Sequence, residues 1–208
     1  MRVCQAYRYA LDPTPEQAAD LASHCGAARF AFNWGLARVK AALSQREAEK
    51  SYDVPDELLT EVPWSLYGLR RAWNTAKDQA APWWADNSKE AYSTGLNGVA
   101  RALKNWAASR KGTRKGPKTG FPRFKSKHRA AQSCRFTTGT IRVEAGRRHV
   151  TLPRLGTIRT HESTRKLARH LERGTGRILS ATVRREGGPA ARVQTDCTAG
   201  HAQANQRQ

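Results

Sequence analysis

The spacing of apolar residues changes about halfway along this chain, and that change limits its possible folds more than any other feature. Up to about residue 110, apolar side chains recur three and four positions apart, as Leu96, Val99 and Leu103 do, which predicts helices. After Lys127 they fall in short alternating runs divided by glycine and proline, which is typical of strands joined by tight turns. The sequence therefore predicts an α+β protein, with a helical part followed by a small β-barrel or sheet.

The sequence pattern of the N-terminal region predicts one strand followed by two helices. Residues 2–9 alternate, so they predict a first strand, which can join the later sheet. Thr14, Pro15 and Gln17 follow as the N-cap, first-turn and N3 residues of a helix start. Gly26 interrupts the apolar series that begins there, so the sequence predicts two helices joined as a helix-hairpin.

Two more helices and five strands are predicted in the rest of the chain. One helix is broken by Pro82 and the other runs to about Arg110. The tryptophans of the helical half recur at helical spacing among Leu and Val, so they are predicted mainly as core, with base-stacking platforms as the alternative. The predicted strands cover residues 135–138, 140–144, 149–152, 157–160 and 178–185. Residues 163–173 are predicted as a short helix or a basic loop. The tail from Pro189 lacks periodicity, which predicts disorder.

Charges are strongly segregated along the chain. It carries 37 Lys and Arg against 17 Asp and Glu, a net charge of +20, yet the residues up to Glu90 hold 11 basic and 12 acidic side chains. No acidic residue occurs between Ala91 and Val143. Such an excess predicts a polyanionic partner, and its segregation favours a binding surface over a merely well-solvated one.

The remaining composition argues against several other classes of protein. The four cysteines stand far apart, with no second cysteine or histidine at metal-ligand spacing, so no metal, cofactor or disulfide framework is predicted. The N-terminus lacks an apolar leader core, and no run of about 18 apolar residues occurs. A cytoplasmic protein without a membrane partner is therefore predicted.

The string GFPRFKSK at residues 120–127 combines two aromatic residues with three cations. Such a pairing suits stacking on bases or riboses beside phosphate contacts, and it equally suits Phe121 and Phe124 as anchors of the first turn of the β part. The candidate nucleic-acid-binding residues are the cations and aromatics in and around this string. They are Arg110, Lys111, Arg114, Lys115, Lys118, Phe121, Arg123, Phe124, Lys125, Lys127 and Arg129.

Five strings of this chain occur in the order found at the front of a known protein family. They are PTPEQ at 13–17, GAARFAFNWGL at 26–36, GFPRFKSK at 120–127, LPRLG at 152–156 and GRILSATV at 176–183. Together with the first strand they resemble the N-terminal part of TnpB proteins, the OrfB-type proteins encoded by transposons. The resemblance extends to about Gly188, beyond which Pro189 and two alanines stand where the family continues with a strand.

The resemblance implies a helical, helix-turn-helix-like recognition domain inserted into a small β-barrel wedge domain. Full-length members are RNA-guided DNA nucleases in which these two domains hold guide RNA and target DNA, so structured RNA and DNA are the implied partners. The implied boundaries are 1–11 for the first strand, 12–110 for the helical domain, 111–119 for a basic linker, 120–188 for the wedge-like domain and 189–208 for a disordered tail.

Catalysis by this chain is not expected. In the family a RuvC-like nuclease domain with three carboxylates and a zinc ribbon follow, whereas here Asp196 lacks the apolar strand residues that would precede a catalytic carboxylate. Two-metal cleavage needs clustered carboxylates to hold the ions. The sequence therefore predicts a non-catalytic, nucleic-acid-binding N-terminal fragment of a TnpB-like transposase. The alternative is a stand-alone helix-turn-helix regulator whose hairpin at Gly26 reads the major groove.

Overall fold

The computed structural model describes residues 2–137, 141–185 and 191–200, of which 2, 3 and 191–200 are described by their backbone alone. The chain divides into two units. One combines Met1–Cys25 with Ala131–Gln208 and carries the strands, so we call it the β unit. The other, Gly26–Ala130, is helical and is called the helical unit. The protein is α+β, as the change in apolar spacing predicts.

The helical unit is built from three α-helices and two short 3-10 turns, all within the described residues. They are α1 (Pro15–Ser51, which begins in the β unit), α2 (Leu66–Ala80), α3 (Lys89–Arg110) and the 3-10 turns Asp56–Leu58 and Trp84–Asp86. Ser65 Oγ caps α2 by accepting a hydrogen bond from Gly68 N at 3.0 Å. Ser88 Oγ caps α3 in the same way, with Glu90 N at 3.3 Å. The two helices predicted after residue 63 are confirmed.

α1 is one continuous helix of 37 residues, so the predicted break at Gly26 and the helix-hairpin are wrong. Its start is as predicted. Thr14 N donates to Gln17 Oε1 at 3.1 Å, and Gln17 N donates to Thr14 Oγ1 at 3.3 Å. A glycine inside a helix costs only about 1 kcal/mol relative to alanine. Burying a side chain such as Leu36 or Val39 contributes about 1.5–3 kcal/mol, so the continuous apolar face outweighs the glycine.

α1 and α3 cross at Gly95, where their backbones approach closely. A Cβ atom at this position would lie 2.2 Å from Ala28 O and 2.7 Å from Phe32 N, so the crossing requires a glycine. The core of the helical unit surrounds this crossing and contains Leu36, Val39, Leu69, Trp73, Tyr92, Leu96, Val99 and Leu103. The crossing therefore fixes the position of the α1 residues that follow Phe32 relative to α3.

Within its described residues, the β unit contains a seven-stranded antiparallel sheet. Its strands are β1 (Arg2–Asp12), β2 (Ser133–Phe136), β3 (Arg142–Val143), β4 (His149–Leu152), β5 (Gly156–Thr160), β6 (Gly176–Arg185) and β7 (Ala191–Gly200). Their order across the sheet is β2-β6-β7-β1-β5-β4-β3, so the N-terminal strand joins the later ones as predicted. The short helix predicted near residue 165 is α4, Arg165–Glu172, which buries Leu167.

The β unit departs from the sequence prediction mainly in its tail. The five predicted strands agree with observed ones to within two residues, although positions 138–140 lie outside the described residues. Ala191–Gly200, however, forms β7 instead of a disordered tail, and it pairs with β1 on one side and β6 on the other. Two flanking hydrogen-bond ladders stabilise a strand whatever the periodicity of its side chains. Positions 189–190 and 201–208 of the predicted tail lie outside the described residues.

Candidate nucleic-acid interface

The basic segment, which we define as residues 110–129, belongs to the helical unit and leaves the end of α3 in a sharp turn. Thr113 N donates to Ala108 O at 3.0 Å, and Gly112 N donates to Ser109 O at 3.2 Å. These two bonds form a Schellman cap, whose left-handed residue is Gly112 at φ 69°. The cap ends α3 and redirects the chain within two residues.

Hydrogen bonds fold the next part of the basic segment back toward α3. Arg114 Nη1 donates to Pro117 O at 2.9 Å, which closes a turn within the segment. Thr119 N donates to Ser109 Oγ at 2.9 Å and so ties residue 119 to the last turn of α3. The stretch predicted as a linker, 111–119, is thus a return loop, and its four cations are exposed.

Asn33 of α1 holds the second half of the basic segment. Its Nδ2 donates to Lys125 O at 2.9 Å, and its Oδ1 accepts a hydrogen bond from Lys125 N at 2.8 Å. Because one side chain satisfies both backbone groups of a single residue, the segment lies against α1 in a defined register. Residues 120–130 consequently fall in the helical unit, whereas the sequence placed the start of the β part at residue 120.

Phe121 and Phe124 lie in different surroundings. Phe121 is half-buried and meets Trp106 of α3 edge to face, with ring centres 5.0 Å apart and planes at 86°. Phe124 is 54% exposed, and Lys40 Nζ lies 4.7 Å from its ring centre. Phe121 therefore has a packing role within the helical unit, while Phe124 is accessible to a ligand.

The nine Lys and Arg side chains of the basic segment are all exposed. Throughout the part of the chain that the structure describes, none of them lies within salt-bridge distance of a carboxylate. The sequence explains this, since the nearest acids along the chain are Glu90 and Glu144. Positive charge concentrated without nearby negative charge creates a strong electric field, which attracts a polyanion. When no polyanion is bound, the cations repel one another.

Lys125 lies in a distinct electrostatic environment within the segment. Its Nζ is 4.1 Å from the ring centre of Phe32, although much of the side chain remains in solvent. Partial desolvation of the ammonium group, followed by repulsion from Arg101, lowers the pKa of Lys125 from its ordinary 10.5. A phosphate bound between Lys125 and Arg101 would relieve that repulsion and stabilise both charges.

The sequence reasoning missed the α1 and α3 residues that support the segment. Asn33 stands between Phe32 and Trp34 on an apolar stretch, and a polar side chain in that position was a signal for a specific hydrogen-bonding role. Lys40 and Arg101 carried no such signal, because single cations on helix surfaces are common. Their place beside the segment depends on the helix crossing, which the sequence pattern does not reveal.

The six tryptophans, predicted mainly as core, differ in burial, and three of them, Trp34, Trp84 and Trp106, are half-buried. Trp73 is buried at 5% exposure, as predicted. Trp64 and Trp83 are 40% and 41% exposed, so the prediction is wrong for these two. Both follow a proline in a short connection instead of lying inside a helix, and helical spacing therefore gave no guide to their burial.

Metal-binding groups and membrane-spanning helices are both absent from the described residues. No group of three or more His, Cys, Asp or Glu side chains in this part of the chain is placed to hold a metal ion. None of the described helices combines the length and the apolar content needed to cross a membrane.

Comparison with known proteins gives consistent matches to one group. Residues 1–48, which include β1 and most of α1, match a family described as a helix-turn-helix domain, that of OrfB proteins of the IS605 type. Two candidate RNA-guided DNA endonucleases of Mycobacterium tuberculosis, from strains CDC 1551 (Oshkosh) and H37Rv, are each 45% identical over 190 residues, 88% of this chain and 40% of the relative. A third, from Escherichia coli strain K12, is 27% identical over 165 residues, 78% of this chain and 35% of the relative. The chain therefore spans about 40% of the length of the Mycobacterium tuberculosis relatives.

Proposed function

We propose that this chain, which belongs to the TnpB/OrfB family, binds nucleic acid through the basic segment of its helical unit. The observation that carries the proposal is a set of nine exposed cations that have no carboxylate partner among the described residues and are held against α1 and α3 by Asn33 and Ser109. Phosphate oxygens are the complementary ligands, and such contacts position a nucleic acid without reading its sequence. If the segment neutralises about six phosphates, affinity falls roughly a thousandfold between low and moderate salt.

The proposed partners are a structured guide RNA and its target DNA. The relatives are named as candidate RNA-guided DNA endonucleases, which is the ground for this choice. In the proposed arrangement the helical unit is a recognition domain inserted into a wedge-like β-barrel formed by the β unit. The division of the chain supports this arrangement, since the β unit combines residues from before and after the helical unit.

We also propose that the 208 residues bind nucleic acid without cutting it. Metal-dependent cleavage needs carboxylates close enough together to hold the ions. The proposal is supported by the sequence, in which only five acids follow Val143 and none of them stands near another. Incubation of purified protein with supercoiled DNA, structured RNA and Mg²⁺ tests it. Specific, magnesium-dependent nicking that copurifies with the protein would contradict the proposal.

The choice of partner is tested by binding assays with structured RNA and duplex DNA of equal length. Lys125 carries the backbone groups that Asn33 binds, and Arg123 and Lys127 lie two residues to either side of it. Their joint replacement by Ala should weaken binding of structured RNA more than binding of duplex DNA, by about tenfold. An equal loss for both ligands would leave general nucleic-acid binding in place but contradict the RNA partner.

The alternative, a stand-alone regulator that reads the major groove with a hairpin at Gly26, is not favoured. α1 continues through Gly26, and the residues 17–40 that would form the hairpin contain only Arg29, Arg38 and Lys40 as cations. A preference for one duplex sequence over random duplex, lost on replacement of Arg29 or Arg38, would restore this alternative.

A further inference from the structure

Two tryptophans of the helical unit form a parallel pair, one member of which is exposed. The indole of Trp64 lies parallel to that of Trp106 in α3, with ring centres 6.2 Å apart and planes at 11°. Trp106 is half-buried, whereas Trp64 is 40% exposed. Because the ring centres are 6.2 Å apart, the two parallel indoles overlap only in part, and Trp106 lies beside Trp64 without enclosing it. Trp73, a tryptophan with a core role in the same unit, is only 5% exposed.

The pair lies where the basic segment leaves α3. Arg110, the first cation of the segment, has its guanidinium carbon 5.3 Å from the ring centre of Trp106. Phe121 of the segment meets the same ring edge to face at 5.0 Å. Trp106 therefore joins three groups: an exposed indole, a cation and the aromatic residue that begins the second half of the segment. Such a combination brings a flat apolar surface next to phosphate-binding charge.

We propose that Trp64, backed by Trp106, is a stacking platform for an unpaired base of a single-stranded nucleic acid whose backbone the basic segment holds. This inference rests on the proposed function and adds the class of ligand to it. Bases inside a duplex are already stacked on their neighbours and present no free face, so the platform selects single-stranded over double-stranded ligands. The recognition is tolerant of sequence, because every base has a π-face.

The predicted preference for ligands that carry unpaired bases is tested with the wild-type protein alone. Three single strands of about 12 nucleotides are compared: oligo(dT), oligo(U), and an abasic phosphodiester strand of the same length and charge. Both base-bearing strands should bind about tenfold more tightly than the abasic strand, and should quench tryptophan fluorescence where the abasic strand does not. A difference between oligo(dT) and oligo(U) identifies DNA or RNA as the better source of the unpaired base. Equal affinity for all three strands would overturn the inference.

The role of Trp64 in this preference is tested with Trp64→Ala, Trp64→Phe and a matched control, Trp83→Ala. Trp83 is equally exposed, at 41%, and also makes a ring contact, with Phe30 at 5.2 Å, so its removal controls for loss of a surface indole. Trp64→Ala should lose most of the tenfold preference for base-bearing strands and leave abasic and duplex affinity unchanged, and Trp64→Phe should keep most of the preference. Trp83→Ala should bind all ligands as the wild type does.

Failure of the inference differs from failure of the proposed function. If the wild type binds the abasic strand and duplex with strong salt dependence but without preference for bases, the stacking platform is wrong and phosphate binding stands. If no ligand binds, or if binding does not depend on salt, the proposed function is wrong and the platform with it. A Trp64→Ala variant that loses affinity for every ligand in parallel with its melting temperature also overturns the platform, because Trp64 would then act only through folding.

Discussion

The helical unit and the β unit carry almost the same excess of positive charge in different arrangements. Gly26–Ala130 holds 20 Lys and Arg against 9 Asp and Glu, and the β unit holds 17 against 8. In the helical unit the acids end at Glu90 and eleven cations follow, whereas in the β unit the two signs are interleaved. Three of the four ion pairs among the described residues lie in the β unit. Segregation of charge, and not its amount, distinguishes a surface that binds polyanions from one that is merely basic.

Gly95→Ala should have the largest effect of the substitutions considered, because it should destabilise the helical unit and leave the β unit unchanged. The added Cβ would meet backbone atoms of α1 at 2.2 and 2.7 Å, and backbone cannot move aside as a side chain can. Overpacking costs up to about 3 kcal/mol, so we expect a loss of that size in the free energy of unfolding of the helical unit. Denaturant titration measures the loss, and hydrogen exchange should assign it to α1 and α3.

Gly26→Ala is the matched control for Gly95→Ala. A Cβ at Gly26 would meet no atom within 4 Å, and the residue lies inside α1. Alanine should therefore raise stability by up to about 1 kcal/mol through helix propensity. If both variants changed stability in the same direction and to the same extent, the close helix crossing would be wrong.

Removing four cations from each unit compares segregated with interleaved charge directly. Lys111, Arg114, Lys115 and Lys118 are replaced together by Ala, and the control replaces Arg142, Arg147, Arg148 and Arg159 of the β unit, which removes the same charge. The first variant should lower the slope of log affinity against log salt by about 3 to 4, and affinity itself by roughly a thousandfold or more at 0.1 M salt, for all nucleic acids alike.

The β-unit control should change that slope by less than half as much. Three of its four cations already face a carboxylate: Arg142 with Glu144 at 3.6 Å, Arg147 with Glu172 at 3.5 Å, and Arg159 with Asp12 at 3.8 Å. Equal losses in the two variants would mean that total charge governs binding, and the comparison between the units would fail.

The two phenylalanines of the basic segment sharpen the comparison within the helical unit. Phe121→Ala removes a half-buried ring packed on Trp106, so it should lower the free energy of unfolding by about 1–2 kcal/mol as well as weakening binding. Phe124→Ala removes an exposed ring and should leave the melting temperature unchanged while affinity falls by about 1 kcal/mol. Thermal melts and titrations of both variants provide the measurement. The reverse pattern would show that the packing and ligand-facing roles are exchanged.

The smallest expected effect is a dependence of the β unit on pH. His24 is buried, its Nδ1 donates to Asp20 O at 2.8 Å, and its ring lies 6.0 Å from that of Phe136. Burial, and to a smaller extent repulsion from Arg154, lower the pKa of His24 from its ordinary 6.5, while the Asp20 carbonyl and carboxylate act in the opposite direction. At His24 the unfolded chain then binds a proton more readily than the folded chain does. The contribution of the neutral, buried His24 to the free energy of unfolding is therefore fully present above pH 6.5 and is lost as the pH falls below that value.

Measuring the free energy of unfolding at pH 7.5 and at pH 5.5 tests whether stability falls with pH in this direction. The β unit should lose stability at the lower pH, and His24→Gln, which cannot take up a proton, should remove part of that loss. The control is the helical unit, which contains no histidine apart from His128 in the exposed basic segment, and its stability should change little over the same interval. A loss of equal size in both units would contradict the assignment to His24.

Local signals in the sequence were sufficient to predict most elements of the fold. The capping pair Thr14 and Gln17 marked the start of α1 to the residue, and alternation with intervening glycines located the strands of the β unit. The failures arose where tertiary contacts outweigh local preference. Gly26 remains helical because the apolar face on both sides of it is buried, and β7 forms because two neighbouring strands supply its hydrogen bonds.

The candidate site was only partly predictable for the same reason. The cations of the basic segment could be named from the sequence because an acid-free stretch is a one-dimensional feature. Asn33, Lys40 and Arg101 could not be assigned to it, because they reach the segment only through the packing of α1 on α3. The role of Trp64 depends in turn on Trp106, a residue 42 positions away, which no local pattern connects to it.

The hydrogen bonds between Asn33 and Lys125 join residues 92 positions apart, and this separation affects when the interface can form during synthesis. At about 5–20 residues per second, Lys125 is made roughly 5–20 s after Asn33. Throughout that interval the nascent chain carries an α1 without its strongest concentration of cations. Contacts of such long sequence separation also form late in folding, because the chain between them must first be ordered. Affinity for nucleic acid should therefore arise only near the end of synthesis of the helical unit.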